Sequence, residues 1–241
     1  MIIKTPQKTG DPYVDACFQF DFEELDESRV WHEIASLKEI PFIADTDKRK
    51  ALAIAEGAMK EFEDYSFLYF WIGKLRAQLN YPGEPKNTYL EGLQKGRNKP
   101  ILCGGIAMWE FEHNNLAEAV KWWIKSCAIQ LSCSLSKDGF SLLNLAYIAK
   151  GLGLAKYHIP LLEEAKRIQS IEFDSIGANQ RYSLAYEQGN ESIKNAISLF
   201  CNFYLGRAVP NSLSNVNIER KKPENGFAYK LGRFIRKILS G

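Results

Sequence analysis

Histidine, cysteine, carboxylate and glycine-turn residues are the ones that could carry chemistry in this chain, and their spacing decides whether they do. The three histidines, His32, His113 and His158, fall in three separate helical settings, so no pair offers the short spacing of a metal or acid–base site. Serine and aspartate residues form no G-x-S-x-G elbow. Gly151-Leu152-Gly153 follows no strand, so it reads as a helical-hairpin turn and not as a phosphate cradle. Acidic pairs such as Glu110/Glu112 and Glu163/Glu164 do not face each other on a helix and read as solvated. Of five cysteines, Cys17, Cys103, Cys127, Cys133 and Cys201, none forms a C-x-x-C pair, and they read as buried free thiols. A zinc or redox site on Cys127 and Cys133 is the competing reading, and it lacks a second ligand pair. No cofactor and no metal is expected.

The elements that would position any site are helices. Val30, Ile34 and Leu37 share one helical face, which Pro41 is expected to end. A second helix follows Asp45-Thr46-Asp47, with Ala51, Ile54, Ala55, Ala58, Met59 and Phe62 as its inner stripe. Helices are then predicted over Tyr65 to Leu79, Pro85 to Lys95, Pro100 to His113, and from Asn115-Leu116 with Leu116, Ala119, Val120, Trp123 and Cys127 inward. After the polar stretch Ser132 to Asp138 come Gly139 to Lys150, then Ile159 to Ser170 with Pro160 in its first turn and Leu162, Ala165 and Ile168 inward. Asn179 to Gln188 and Glu191 to Leu205 follow. Only Phe18-Gln19-Phe20-Asp21-Phe22 alternates with the period of a strand.

These helices repeat. Placing Phe67 over Ile101, an offset of 34 residues, superposes Tyr89 on Trp123 and Gly92 on Ser126. A third copy sets Leu145-Ala146 over Ile106-Ala107 and Ile72-Gly73, with Leu162 over Trp123 and Ala165 over Ser126. Small residues at Gly73, Ala107 and Ala146 let paired helices approach, while Tyr89, Trp123 and Leu162 fill the space between pairs. The pattern resembles the tetratricopeptide repeat (TPR) family, a 34-residue helical hairpin with W-x2-L-G-x2-Y, A-x3-F and P positions. Ala119 and Trp123 match its second helix best. Pro85 and His158 stand where its Ala would be, and Arg76 and Glu110 replace its Tyr.

The expected fold class is therefore all-α, an α-solenoid of stacked antiparallel hairpins. Residues 1–44 form an acidic, irregular N-terminal arm with one helix, 45–205 the TPR-like repeat, and 206–241 a linker with a basic amphipathic helix. The resemblance implies a concave groove lined by first helices, where Phe67, Phe70 and Lys74, then Ile101, Met108, Phe111 and Glu112, then Phe140, Leu143, Tyr147 and Lys150 would receive a peptide or helix. The Lys, Asn and Arg clamp by which family members hold a chaperone tail is missing, leaving Lys74, Lys150 and Asn144 as its only candidates. A competing reading fills this groove with the chain's own termini.

Charge and composition bound the function. The chain has 241 residues, is 46% hydrophobic and 25% charged, and carries a net charge of +2, which excludes general disorder. That +2 conceals a gradient: residues 1–64 carry a net −7, residues 65–204 a net +3, and residues 205–241 a net +6. In the tail, Arg220, Lys221, Lys222, Lys230, Arg233, Arg236 and Lys237 interleave with Phe227, Leu231, Phe234, Ile235 and Ile238. That tail reads first as a terminal helix closing the repeat, and next as a surface for acidic residues of the chain or of a second copy. An anionic membrane or a nucleic acid ranks below both. The expected function is a protein–protein interaction module acting as adaptor, regulator or inhibitor, not an enzyme, with another protein or a homodimer as partner. The alternative is an enzyme or small-ligand-binding protein using a pocket enclosed by the hairpins, with His113 or His158. Neither an export signal nor a membrane span is seen, so a cytoplasmic location is expected.

Overall fold

A computed structural model describes residues 8–19, 35–81, 83–95, 99–132 and 139–208. Eleven helices and no strand occur among the described residues: α1 (Pro12–Cys17), α2 (Ala35–Thr46), α3 (Lys48–Met59), α4 (Ser66–Gln78), α5 (Pro85–Lys95), α6 (Lys99–Glu112), α7 (Leu116–Ser132), α8 (Gly139–Gly151), α9 (Ala155–Ile168), α10 (Ser175–Gln188) and α11 (Glu191–Ala208). They fall into two compact units, one containing α2 to α7 and the other α1 with α8 to α11. The basic tail residues, His32, Cys133 and Phe20 to Phe22 lie outside the described residues.

In the first unit each helix packs on the next, from α2 against α3 through α6 against α7, and α4 also packs on α6. Pro41 lies inside α2 and does not end it. Leu37, Ile40, Pro41 and Ala44 are buried, and continuing the helix through Pro41 keeps them on one face. Asp47 starts α3 by accepting the Lys50 N–H at 2.9 Å. On α7 the expected inward residues Leu116, Ala119, Val120, Trp123 and Cys127 are all fully buried.

The second unit is built on α8, which packs against α9, α10 and α11. Ten of its residues are buried, covering the whole circumference. The N-terminal segment is not irregular throughout: Pro12–Cys17 is helical and packs on α11. Asp11 begins that helix, accepting N–H groups from Tyr13 at 2.9 Å and Val14 at 3.2 Å, with Pro12 in the position where a missing N–H costs nothing. Helix α9 begins at Ala155, four residues earlier than expected, and carries Pro160 in its interior. Its buried face is accordingly Tyr157, His158, Leu161 and Ala165, with Leu161 and not Leu162 fully buried. Helix α10 also starts early, at Ser175, because Asp174 caps it by accepting the Gly177 N–H at 2.7 Å.

Three helices end in the same way. Asn80 after α4, Asn114 after α6 and Gly153 after α8 all adopt left-handed backbone, with φ of 56°, 56° and 78°. In each case the next N–H reaches back five residues: Tyr81 to Arg76 at 2.9 Å, Asn115 to Glu110 at 2.9 Å, and Leu154 to Ala149 at 2.8 Å. This is the reversal that satisfies the last carbonyls of a helix. The spacings, 34 and then 39 residues, are those that superpose Gly73, Ala107 and Ala146. Identical caps at matching positions are compatible with a helical repeat.

Candidate functional site

Two surfaces gather the predicted site residues, one in each unit. In the first unit, Phe70 and Trp71 stand side by side on α4 with Lys74 one turn further on. Phe70 and Trp71 meet edge-to-face at 5.9 Å, and the Lys74 ammonium lies 4.9 Å from the Trp71 ring centre and 5.7 Å from that of Phe70. Phe70 also stacks on Tyr89 of α5 at 6.0 Å. The Tyr89 ring is held in a slot between two glycines: a Cβ at Gly73 would lie 2.6 Å from its Cε1, and one at Gly105 would lie 3.2 Å from its Cε2. A side chain on α4 at Gly73 would overlap the ring, and one on α6 at Gly105 would crowd its other edge.

The electrostatics of this corner come from several elements. Burial pushes the Lys74 amine down to about 8, opposed by the Asp45 carboxylate of α2 and the Glu112 carboxylate of α6, and reinforced by Lys48 of α3. Burial raises the Tyr89 phenol above its ordinary range, with Glu112 adding to the effect.

In the second unit, Tyr147 of α8 touches Phe173, His158 and Tyr182, with ring centres 5.5, 5.5 and 5.6 Å away. Lys150 lies 4.9 Å from the Tyr182 ring centre. Together Lys150, Gly151, Tyr182, Ser183, Tyr186 and Glu187 line a shallow depression of about 460 Å³ between the end of α8 and α10. Tyr186 is 86% exposed and Ile176, on the same helix, 67%. Below the surface, Arg181 donates to Asn144 at 2.9 Å and to the Gly177 carbonyl at 3.2 Å, and stacks 4.2 Å from Phe173. This buried guanidinium ties α10 to α8.

The predicted groove residues thus separate by exposure. Phe67, Phe111, Phe140 and Leu143 are buried: Phe67 packs on Trp71, Phe111 on Trp123 and Phe140 on Phe173. Phe70, Lys74, Ile101, Met108 and Tyr147 are half-buried, while Glu112 and Lys150 are exposed. Asn144, a possible clamp residue, is buried and bonded to the Phe140 carbonyl and Arg181.

Glu110 departs from its expected solvated state. It is only 2% exposed, accepts from Lys86 of α5 at 2.5 Å and from the Asn115 amide at 2.9 Å, and so joins α5, α6 and the start of α7. The two described histidines also have structural partners. His113 stacks on Trp109 with ring centres 3.9 Å apart, its Nδ1 2.7 Å from the Trp109 carbonyl. His158 is buried, its Nδ1 2.9 Å from the Ala146 carbonyl. Cys17, Cys103, Cys127 and Cys201 are buried, and burial pushes the Cys201 thiol up to about 12. Among the described residues no group of three or more His, Cys, Asp or Glu side chains could hold a metal ion, and no helix is long and apolar enough to cross a membrane.

No protein-family model, curated protein or solved structure matches the chain.

Proposed function

We propose that the protein is a protein–protein interaction module of the helical-repeat type, a TPR-like α-solenoid that binds a peptide or helix of another protein. The observation that carries this reading is the α8–α10 surface. Tyr186 stands almost fully in solvent beside Lys150 and Tyr182, although the apolar ring of a tyrosine gains nothing from exposure. An open depression with aromatic walls and a cation at its edge suits a side chain or turn of a macromolecular partner better than an enclosed small molecule. Tyrosine is a frequent anchor in such contacts because it offers a large rigid face and a hydroxyl together. Below this surface, the Arg181–Asn144 contact and the aromatic cluster around Tyr147 keep α10 fixed on α8, so the face would be preformed.

The test is a quantitative affinity purification from the cell of origin, with wild type and a Tyr186→Ser/Lys150→Ala double variant side by side. Both substitutions fall on exposed side chains and should leave the melting temperature unchanged. A partner recovered with wild type and reduced about tenfold or more with the variant is the expected result. Equal recovery of every partner by the two proteins would overturn the assignment of this face.

A further inference from the structure

Helix α10 presents one open face. Ile176, Asn179, Gln180, Ser183, Tyr186 and Glu187 recur at helical spacing and are all exposed, while Arg181, Leu184 and Ala185 are buried. Among the described residues α10 packs on α8, and α11 on α9, α8 and α1, but the two do not pack on each other as α4 and α5, α6 and α7 or α8 and α9 do. Helix α10 thus lacks the hairpin partner that covers α4, α6 and α8. Resting on the reading of α10 as a docking face, we propose that residues 227–239 of this chain occupy that face as a helix, lying along the line from Ile176 to Tyr186 until a partner displaces them.

Length and charge both match. Ile176 and Tyr186 are ten residues apart, about 15 Å along a helix. The apolar stripe of the tail runs from Phe227 through Leu231 and Phe234 to Ile238, eleven residues or about 16 Å. Between Ile176 and Tyr186 the exposed Asn179, Gln180 and Ser183 are uncharged, so no ion is stripped of water in the middle of the contact. Residues 172–191 hold four carboxylates and one cation, Arg181, which is buried. Glu172 and Glu191 pair with Lys166 and Lys194, both at 2.7 Å. Asp174, two residues before Ile176, and Glu187, next to Tyr186, set an exposed carboxylate at each end of the line. The tail brings the opposite sign, a net +6 over residues 205–241, with Lys230, Arg233, Arg236 and Lys237 bordering its apolar stripe.

The tail can reach the face from where α11 ends. Residues 209–226 span at most about 60 Å when extended, against about 21 Å for the whole of α10, so either direction along the helix is open to it. Tethering also lowers the affinity that is needed. At an effective concentration on the order of 1 mM, a contact with a Kd of only about 0.1 mM fills the face roughly nine-tenths of the time. A partner then meets a face that is free about one-tenth of the time and binds about tenfold more weakly than it would to the uncovered helix.

The experiment is amide hydrogen exchange read by mass spectrometry on the full chain, with no partner present. In wild type, peptides covering residues 227–239 are expected to exchange about tenfold more slowly than an unstructured chain. Ile176→Ser/Tyr186→Ser should abolish that protection and leave the exchange of α8 unchanged, since both side chains are exposed. Raising the salt from about 0.05 to 0.5 M should lower the protection about threefold, as expected if the carboxylates of α10 help to hold the tail. Absence of protection in wild type, or protection that survives Ile176→Ser/Tyr186→Ser, overturns the proposal. Protection that falls on dilution from about 50 to 1 µM also overturns it, because a second copy would then supply the segment. The outcome is separate from that of the affinity purification: the tail can leave α10 uncovered while a partner still binds there, and a covered α10 can lack any partner.

Discussion

Replacing Gly73 by alanine tests the packing of the first unit most directly. On an open helix surface the change would stabilise by roughly 1 kcal/mol, the difference in helix propensity. Here the new Cβ would lie 2.6 Å from Tyr89 Cε1 and 3.2 Å from Cδ1 and Cζ, closer than nonbonded carbons approach. The Tyr89 ring has little room to yield, because Gly105 bounds its opposite edge and Phe70 stacks on its face. Overpacking of this kind costs about 1–3 kcal/mol, and the confinement of the ring places the cost in the upper part of that range. The expected net change is a destabilisation of about 1–2 kcal/mol. In a Tyr89→Ala background the obstruction is gone, and Gly73→Ala should then stabilise by roughly 0.5–1 kcal/mol. Urea unfolding of wild type, both single variants and the double variant, followed by circular dichroism, gives the coupling, expected at about 2 kcal/mol or more. Additive effects, or a wild-type background stabilised by Gly73→Ala, would refute the slot.

Two further perturbations probe charge. Glu110→Gln leaves the Lys86 ammonium, itself partly buried, beside a neutral amide, and should lower stability by about 2 kcal/mol as read by urea midpoint. An unchanged midpoint would show that the α5–α6 junction draws nothing from this pair. Lys74→Met removes an amine that burial has lowered from its ordinary value to about 8. Because the unfolded chain binds more protons than the folded one between about pH 8 and 10.5, wild-type stability from this group rises with pH across that window, and the full cost is present below it. A shift of that size corresponds to roughly 3 kcal/mol, and the water a half-buried amine retains brings the expected gain of Lys74→Met below pH 8 to about 2 kcal/mol. The gain should shrink toward zero by pH 10.5; Tyr89 titrates in both proteins and cancels from the difference. A pH-independent gain would mean that only packing had changed.

Much of the helical framework is legible in the residues because period and punctuation agree there. Helices α5, α6 and α8 begin and end within a residue or two of expectation, α7 begins where expected, and its inner face is buried residue for residue. The close approach of α4 and α5 expected at Gly73 is present, since a Cβ there would lie 2.6 Å from the Tyr89 ring. What misled was proline taken as punctuation, Pro41 as a stop and Pro160 as a first-turn residue. Both lie inside helices, because the apolar faces on either side bury more surface by continuing than a lost backbone hydrogen bond costs. The repeated left-handed caps carried a signal that was there to read: Asn80 and Asn114 are 34 residues apart, and asparagine is the side chain that best tolerates this backbone after glycine. Short capping signals at Asp11-Pro12 and Asp174-Ser175 are equally physical, yet each precedes a helix with too little periodicity to make the cap stand out.

The site was legible only in part, for a reason that lies in packing. Assigning residues to a groove assumes that a helix has one inner and one outer face, as an amphipathic helix does. Helix α8 has none: it is buried around its whole circumference and packs against three neighbours, so Phe140 and Leu143 are buried along with Leu145. Its exposure is confined to the end of the helix, where Lys150 emerges. The partners that complete each surface come from elements distant in sequence. Tyr182 and Tyr186 meet Lys150 where the Arg181–Asn144 bond and the Tyr147–Tyr182 ring contact join α10 to α8, and Asp45 and Glu112 act on Lys74 from helices on either side of it in the chain. A buried guanidinium bonded to a neutral amide is costly unless it fixes something in place. In this protein it fixes the helix that presents the exposed tyrosine, so a variant such as Asn144→Ala should weaken partner recovery through the position of α10 even though residue 144 itself is never at the surface.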